Sequence, residues 1–143
     1  MYYFAYGSNM NHKQMAERCK NAKFICRAYL KDYQFIYDGY SKKWKGAVGN
    51  IIKRKGSKVW GGIFEINDED LKTLDKYEGS PSVYGKQIVV VKDDNNKEYE
   101  LFVYLKNMLN IGKPSENYKN VVIQGAKDCN LPDDYIKNTF LKI

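Results

Sequence analysis

The first ten residues, Met1-Tyr2-Tyr3-Phe4-Ala5-Tyr6-Gly7-Ser8-Asn9-Met10, constrain this chain more than any other stretch. Residues 2–6 are apolar and aromatic and read as a short buried strand. The run stops at Gly7-Ser8-Asn9, and a polar helical pattern over residues 9–19 follows. The spacing therefore predicts a strand that passes straight into a helix, through a turn whose glycine lets a ligand approach the backbone. The first N–H groups of such a helix have no partner inside it, and its dipole favours negative charge there. A carboxylate, a phosphate or a developing oxyanion suits that place.

Further along, residues 24–30 and 33–37 read as a strand pair turning at Lys31-Asp32, and residues 47–53 and 58–66 as a second pair turning at Gly56-Ser57. Asn67 opens a short helix with Asp68, Glu69 and Asp70 at its positive end, and Gly79 and Pro81 close it. Residues 83–92 and 98–105 are two more strands joined at Asp93-Asp94-Asn95-Asn96, residues 108–116 form a loop, and helices over 117–128 and 133–141 finish the chain. About seven strands with helices at long intervals make an α+β chain, expected to form one domain over residues 1–143.

Composition excludes several functions. The net charge of +7 invites a nucleic-acid reading, but only Arg18, Arg27 and Arg54 among the 24 basic residues are arginine, the residue that base readout and bidentate phosphate binding favour. The densest runs, Lys42-Lys43-Trp44-Lys45 and residues 53–58, fall where turns belong. We therefore expect no nucleic-acid partner. No segment reaches the ~18 apolar residues of a membrane span, and the N-terminal pattern is not that of a secretory signal, so the expectation is a cytoplasmic protein without a membrane partner. The three cysteines, Cys19, Cys26 and Cys129, form no CxxC pair and read as reduced structural thiols. The single histidine, His12, reads as a solvated helix residue, which argues against a zinc site, a Ser-His-Asp triad and a Cys-His pair. No cofactor is called for. The 13 tyrosines suit a pocket for a polar small molecule, because each buries a ring and still offers a hydroxyl.

Helical projection singles out one carboxylate. With residues at 100° steps and Leu71 as the origin, Leu74 lies near about −60° and Glu78 near about −20°. Glu78 thus falls inside the apolar stripe at the last turn of its helix. Burial and the negative helix end both disfavour its ionised form, so its pKa should rise toward the range useful to a general base. Asp75, on the shoulder of the same face, is the next candidate. Glu65, Glu98 and Glu100 sit in strands and should face solvent or pair with lysine.

These residues carry a family resemblance. Tyr3-Phe4-Ala5-Tyr6-Gly7-Ser8-Asn9-Met10 resembles the signature loop of the γ-glutamylcyclotransferases. Val59-Trp60-Gly61, Leu74-Asp75-Lys76-Tyr77-Glu78-Gly79, Tyr118-Lys119 and Gly125-Ala126-Lys127 recur in that family's order, so the likeness runs over roughly residues 2 to 140. Met10 stands where the family often has leucine. The resemblance implies a small mixed β-barrel with surrounding helices, Glu78 as the catalytic acid-base, and Tyr118 with residues Tyr3, Phe4, Ala5, Tyr6, Gly7, Ser8 and Asn9 as the substrate-binding set. It implies a small-molecule γ-glutamyl substrate that cyclises to 5-oxoproline. Tyr84 and Tyr104 read as core tyrosines, and Gly125 as a place of close helix packing. Ser80-Pro81-Ser82-Val83 carries no signal for the leaving group. A non-catalytic small-molecule binding module on the same scaffold is the second reading, a basic nucleic-acid binder the third, and a homodimer stays open.

Overall fold

The computed structural model describes residues 1–80, 83–107 and 109–141; Pro81, Ser82, Met108, Lys142 and Ile143 lie outside the described residues. β1 (Tyr2–Ala5) leads into a single 3₁₀ turn (Ser8–Met10) and then α1 (His12–Arg18). β2 (Lys23–Ser41) and β3 (Gly46–Glu65) follow, then α2 (Asp68–Glu78), β4 (Gly85–Lys92) and β5 (Glu98–Leu105). The chain ends with α3 (Glu116–Asp128), α4 (Asp133–Ile136) and a π-helical turn (Lys137–Leu141). The strands close into a barrel in the order β1-β3-β2-β4-β5, with β1 parallel to β5 at Tyr3↔Phe102 and antiparallel to β3.

The two expected strand pairs are one hairpin. β2 and β3 pair along their whole length, from Lys23↔Glu65 to Ser41↔Gly46. The signals read as chain reversals mark a bulge instead. Asp32 takes a positive φ of 64°, Gly56 one of 88°, and the Gly56 N–H donates to Asp32 Oδ1 at 3.0 Å. The pairing resumes on the far side, stepping from Lys31↔Lys58 to Tyr33↔Lys53. Two turn-like segments facing each other across a ladder bend it without ending it. Among the described residues five strands therefore replace the expected seven, and the basic run over residues 53–58 lies within β3 rather than in a turn.

The start of the chain also differs from expectation. The strand does not run straight into an α-helix. Asn11 caps α1 by accepting the Gln14 N–H at 3.0 Å, so the α-helix begins four residues after Ser8 and its dipole does not act at Gly7. α2 is set as its sequence implies. The Asn67 side chain accepts from the Asp70 N–H while the Asp70 carboxylate accepts from the Asn67 N–H, and Gly79, in the left-handed conformation, turns the chain away after Glu78.

Phe4, Ile51, Ile63, Val91 and Val103 are fully buried within the sheet, and Met10, Met15, Leu74, Val122 and Phe140 bury the inner faces of the surrounding segments. At about 25 cal/mol per Å² of apolar surface, each such side chain contributes roughly 1.5–3 kcal/mol. α3 packs on the first turn so closely that a Cβ on Gly125 would come 2.4 Å from the Asn11 backbone nitrogen. Gly125 is thus a packing residue that lets α3 press the loop over residues 7–11 into place. Among the described residues, no helix is long and apolar enough to cross a membrane.

Candidate active site

A cavity of about 380 Å³ opens where β1 gives way to the 3₁₀ turn. Three segments distant in sequence meet there: the loop Tyr6 to Asn9, the C-terminal end of α2, and the tip of the β2–β3 hairpin. Tyr3, Tyr84, Tyr104 and Tyr118 complete its wall.

Among the described residues, Glu78 is the only carboxylate that lines this cavity, no cation lies within ion-pairing distance of it, and its one side-chain hydrogen bond is a 3.3 Å contact from Asn9 Nδ2 to Oε1. Burial pushes its pKa from an ordinary 4.5 up to about 7, partly offset by the positive charges of Arg18 and Lys106. Asn9, itself 3% exposed, is fixed from the other side. Its Oδ1 accepts from Gln14 Nε2 and Arg18 Nη1, each at 3.1 Å, which leaves Nδ2 to donate to Tyr3 Oη at 3.1 Å and to Glu78. The amide's orientation follows from these partners. Ser8 Oγ accepts a second hydrogen bond from Gln14 at 2.9 Å. Among the described residues, the backbone N–H groups of Gly7, Ser8 and Asn9 donate to no protein acceptor. They are donors available to a ligand beside Glu78.

The tyrosines are held by backbone. Tyr118, at the first turn of α3 behind its Ser115 cap, accepts the Gly49 N–H at 2.8 Å, which leaves its own proton free. Tyr84 donates to the Gly49 carbonyl at 2.7 Å, and Tyr6 to the Tyr104 carbonyl at 2.6 Å. Burial raises the pKa of each of these phenols, so all stay protonated as donors. The Tyr104 hydroxyl is turned to Asp75 Oδ1 at 2.6 Å.

Comparison with known proteins decides the family. The AIG2-like family matches residues 58–139. A gamma-glutamylcyclotransferase of Mus musculus is 33% identical over 138 residues, covering 93% of this chain and 73% of its own. That of Homo sapiens is 33% identical over 140 residues with the same coverage. A solved structure of a gamma-glutamyl cyclotransferase superposes with a TM-score of 0.92 at 31% identity, covering 96% of this chain and 85% of that one. The chain belongs to the γ-glutamylcyclotransferase family.

Most of the residues expected from the family pattern meet at the cavity. Tyr3, Tyr6, Gly7, Ser8, Asn9, Glu78 and Tyr118 all line it. Phe4 and Ala5 do not: both are fully buried, with the Phe4 ring pressed against Gly61. Glu65, Glu98 and Glu100 are exposed, as expected. Asp75 turns away from the cavity, accepting from Tyr104 and from Lys86 Nζ at 2.9 Å. Arg18 was not singled out by the sequence. It sits in the last turn of a short polar helix, reaches back to Asn9 in the turn before that helix, and is brought over the Tyr77 ring, 4.1 Å from its centroid, only by the packing of α1 on α2. Lys43 and Trp44 were read only as part of a basic turn, and Lys106 was unmarked, yet all three line the cavity.

One expectation is corrected in part. His12 is half-buried rather than fully solvated. Its ring packs against Phe24 and Phe64, and its Nε2 lies 3.7 Å from Cys129 Sγ, so a Cys-His contact exists across 117 positions of sequence. Neither residue lines the cavity, and burial pushes the Cys129 thiol far above its ordinary pKa, which keeps it a packed, unreactive thiol.

Proposed function

We propose that this protein is a γ-glutamylcyclotransferase that converts a γ-glutamyl compound to 5-oxoproline and a free amine. The observation that carries the reading is Glu78: a carboxyl group with a pKa of about 7, unpaired by any cation, beside free backbone donors in a cavity of small-molecule size. Such a group exchanges protons efficiently near neutral pH.

The reaction is intramolecular. Glu78, as carboxylate, takes a proton from the substrate's α-ammonium. The freed amine attacks the γ-carbonyl carbon, forming the ring C–N bond. The tetrahedral intermediate collapses by breaking the amide C–N bond, and Glu78 returns a proton to the departing nitrogen. The nucleophile gives up two protons in all and the released amine gains two, one through Glu78 and one through solvent, so the reaction balances without a cofactor. The N–H groups of Gly7, Ser8 and Asn9 donate to the substrate's anionic oxygens. The free proton of Tyr118 gives a further donor close to Gly7, where an added Cβ would come 3.4 Å from the Tyr118 hydroxyl. The remaining work is conformational: the cavity holds a flexible chain bent for ring closure.

The test is release of 5-oxoproline from γ-glutamyl-alanine by purified protein. We expect turnover of the γ-linked compound and none of its α-linked isomer, because only the γ-linkage closes a five-membered ring from the α-amine. Cleavage of the α-linked isomer would overturn the cyclisation.

A further inference from the structure

The cavity holds more positive charge than the reaction at Glu78 needs. Arg18, Lys43, Lys76 and Lys106 line it against Glu78 alone. Lys106 is committed to Asp38, with Nζ 3.5 Å from Oδ2. Among the described residues, Arg18, Lys43 and Lys76 have no carboxylate partner.

Two of these cations share one aromatic ring. Tyr77, next to Glu78 and 52% exposed, has the Arg18 guanidinium 4.1 Å and the Lys43 ammonium 5.2 Å from its centroid. Lys43 also lies 5.4 Å from the Trp44 ring. Both cations gain from the ring faces, yet they repel each other. Lys43's pKa is lowered by desolvation first and by Arg18 second. An anion seated between them would relieve that repulsion. Arg18 spends one N–H on Asn9, and the rest of its planar donor set is free to take a carboxylate.

We infer that Arg18 and Lys43, arranged around the Tyr77 ring, form a second anion subsite that takes the carboxylate of the departing amino acid, with Lys43 setting the preference for it. The inference rests on the cyclisation reading above. The geometry is consistent with that chemistry, since Arg18 is close enough to Glu78 to lower its pKa, and a leaving α-amino acid carries its carboxylate one carbon from the nitrogen that Glu78 protonates. The charges agree as well. A γ-glutamyl amino acid carries two carboxylates and one ammonium, a net −1. A γ-glutamyl amine carries none in excess. The surplus positive charge of the cavity mouth matches the first.

The experiment compares γ-glutamyl-alanine with γ-glutamyl-alaninamide, which differ only in the leaving group's carboxylate. Wild type should favour the acid about tenfold in kcat/KM, as one carboxylate on two partly exposed cations allows. Lys43→Met should bring the ratio close to one, and Lys43→Glu should invert it. Added salt should shrink the wild-type preference. The same ratio is read without turnover, as Kd by calorimetry, in Glu78→Gln and in Glu78→Gln combined with Lys43→Met. An unchanged ratio in Lys43→Met overturns the subsite. So does an equal loss for both compounds, which would mean that Lys43 serves the glutamyl half. Failure of the acid to bind the Glu78→Gln protein also overturns it. By contrast, a wild type that releases no 5-oxoproline yet keeps the affinity ratio retains the subsite and rejects the cyclisation.

Discussion

Two carboxylates stand one turn apart on α2, and the protein treats them oppositely. Asp75 is matched on both oxygens, by the Tyr104 hydroxyl at 2.6 Å and the Lys86 ammonium at 2.9 Å. It ties α2 to β4 and β5. Glu78 receives only the weak 3.3 Å contact from Asn9 and sits in the cavity without an ion pair. A structural carboxylate is supplied with donors that hold it in place. A carboxylate that must exchange protons is denied them, and its pKa climbs to about 7. The helix therefore carries a stabilising residue and a destabilising one within four positions, and the second is where the chemistry belongs.

The sharpest way to break this contrast is Glu78→Gln. The amide keeps the shape and removes the base, so turnover should fall by about 10²–10⁴ while the circular dichroism spectrum is unchanged. Retention of activity within tenfold, measured as 5-oxoproline release, would return Glu78 to the structural class. The same variant should gain stability. The folded-state pKa of Glu78, about 7, lies above the 4.5 expected of the unfolded chain. The folded form thus binds more protons between those values, and wild type loses stability as pH rises through that window. Relative to wild type, Glu78→Gln should be equally stable at pH 4 and more stable at pH 8, by on the order of 2 kcal/mol. Denaturant melts at the two pH values measure this, and a gap that does not widen with pH would mean that burial does not strain the carboxylate.

The rate offers a smaller effect at the same residue. Because the carboxylate form starts the reaction, kcat/KM, which reports the free enzyme, should rise about tenfold per unit on the acid side and level off above about pH 7. A limb centred near 4.5 would show that Glu78 titrates as an ordinary exposed glutamate.

How much of this was legible before folding follows from the range of each interaction. Glu78 was visible because its burial is a local matter of helical period, set by Leu71, Leu74 and the Gly79 cap. The donor loop was visible in the Gly7-Ser8-Asn9 break, although the α-helix dipole invoked for it begins only at His12. The long hairpin was hidden because Asp32 and Gly56 each look like a chain reversal alone. Only their facing placement, closed by the Gly56 N–H on Asp32, makes them a bulge. Arg18, Lys43 and the His12–Cys129 contact were out of reach for a similar reason. Their distant partners, Tyr77 for Arg18 and Lys43 and Cys129 for His12, are brought in only by the packing of the helices and the hairpin tip around the barrel.

The smallest expected effects lie on the Asp75 side, where the contrast is tested from its other end. Asp75→Ala leaves the Tyr104 hydroxyl and Lys86 without their shared acceptor and should cost on the order of 1–2 kcal/mol in stability. Asp75→Asn is the finer probe. Its amide oxygen still accepts the Tyr104 proton, and only the half-exposed pairing with Lys86 is lost, which is worth about 0–1 kcal/mol. If Asp75 serves structure alone, Asp75→Asn should keep kcat within a few-fold of wild type and leave the acid limb near pH 7 in place. A loss comparable to that of Glu78→Gln, or a shift of the limb, would mean that protons pass between the two carboxylates through the Tyr104 and Tyr3 side of the cavity. The helix would then carry one coupled acid-base pair in place of an anchor and a base.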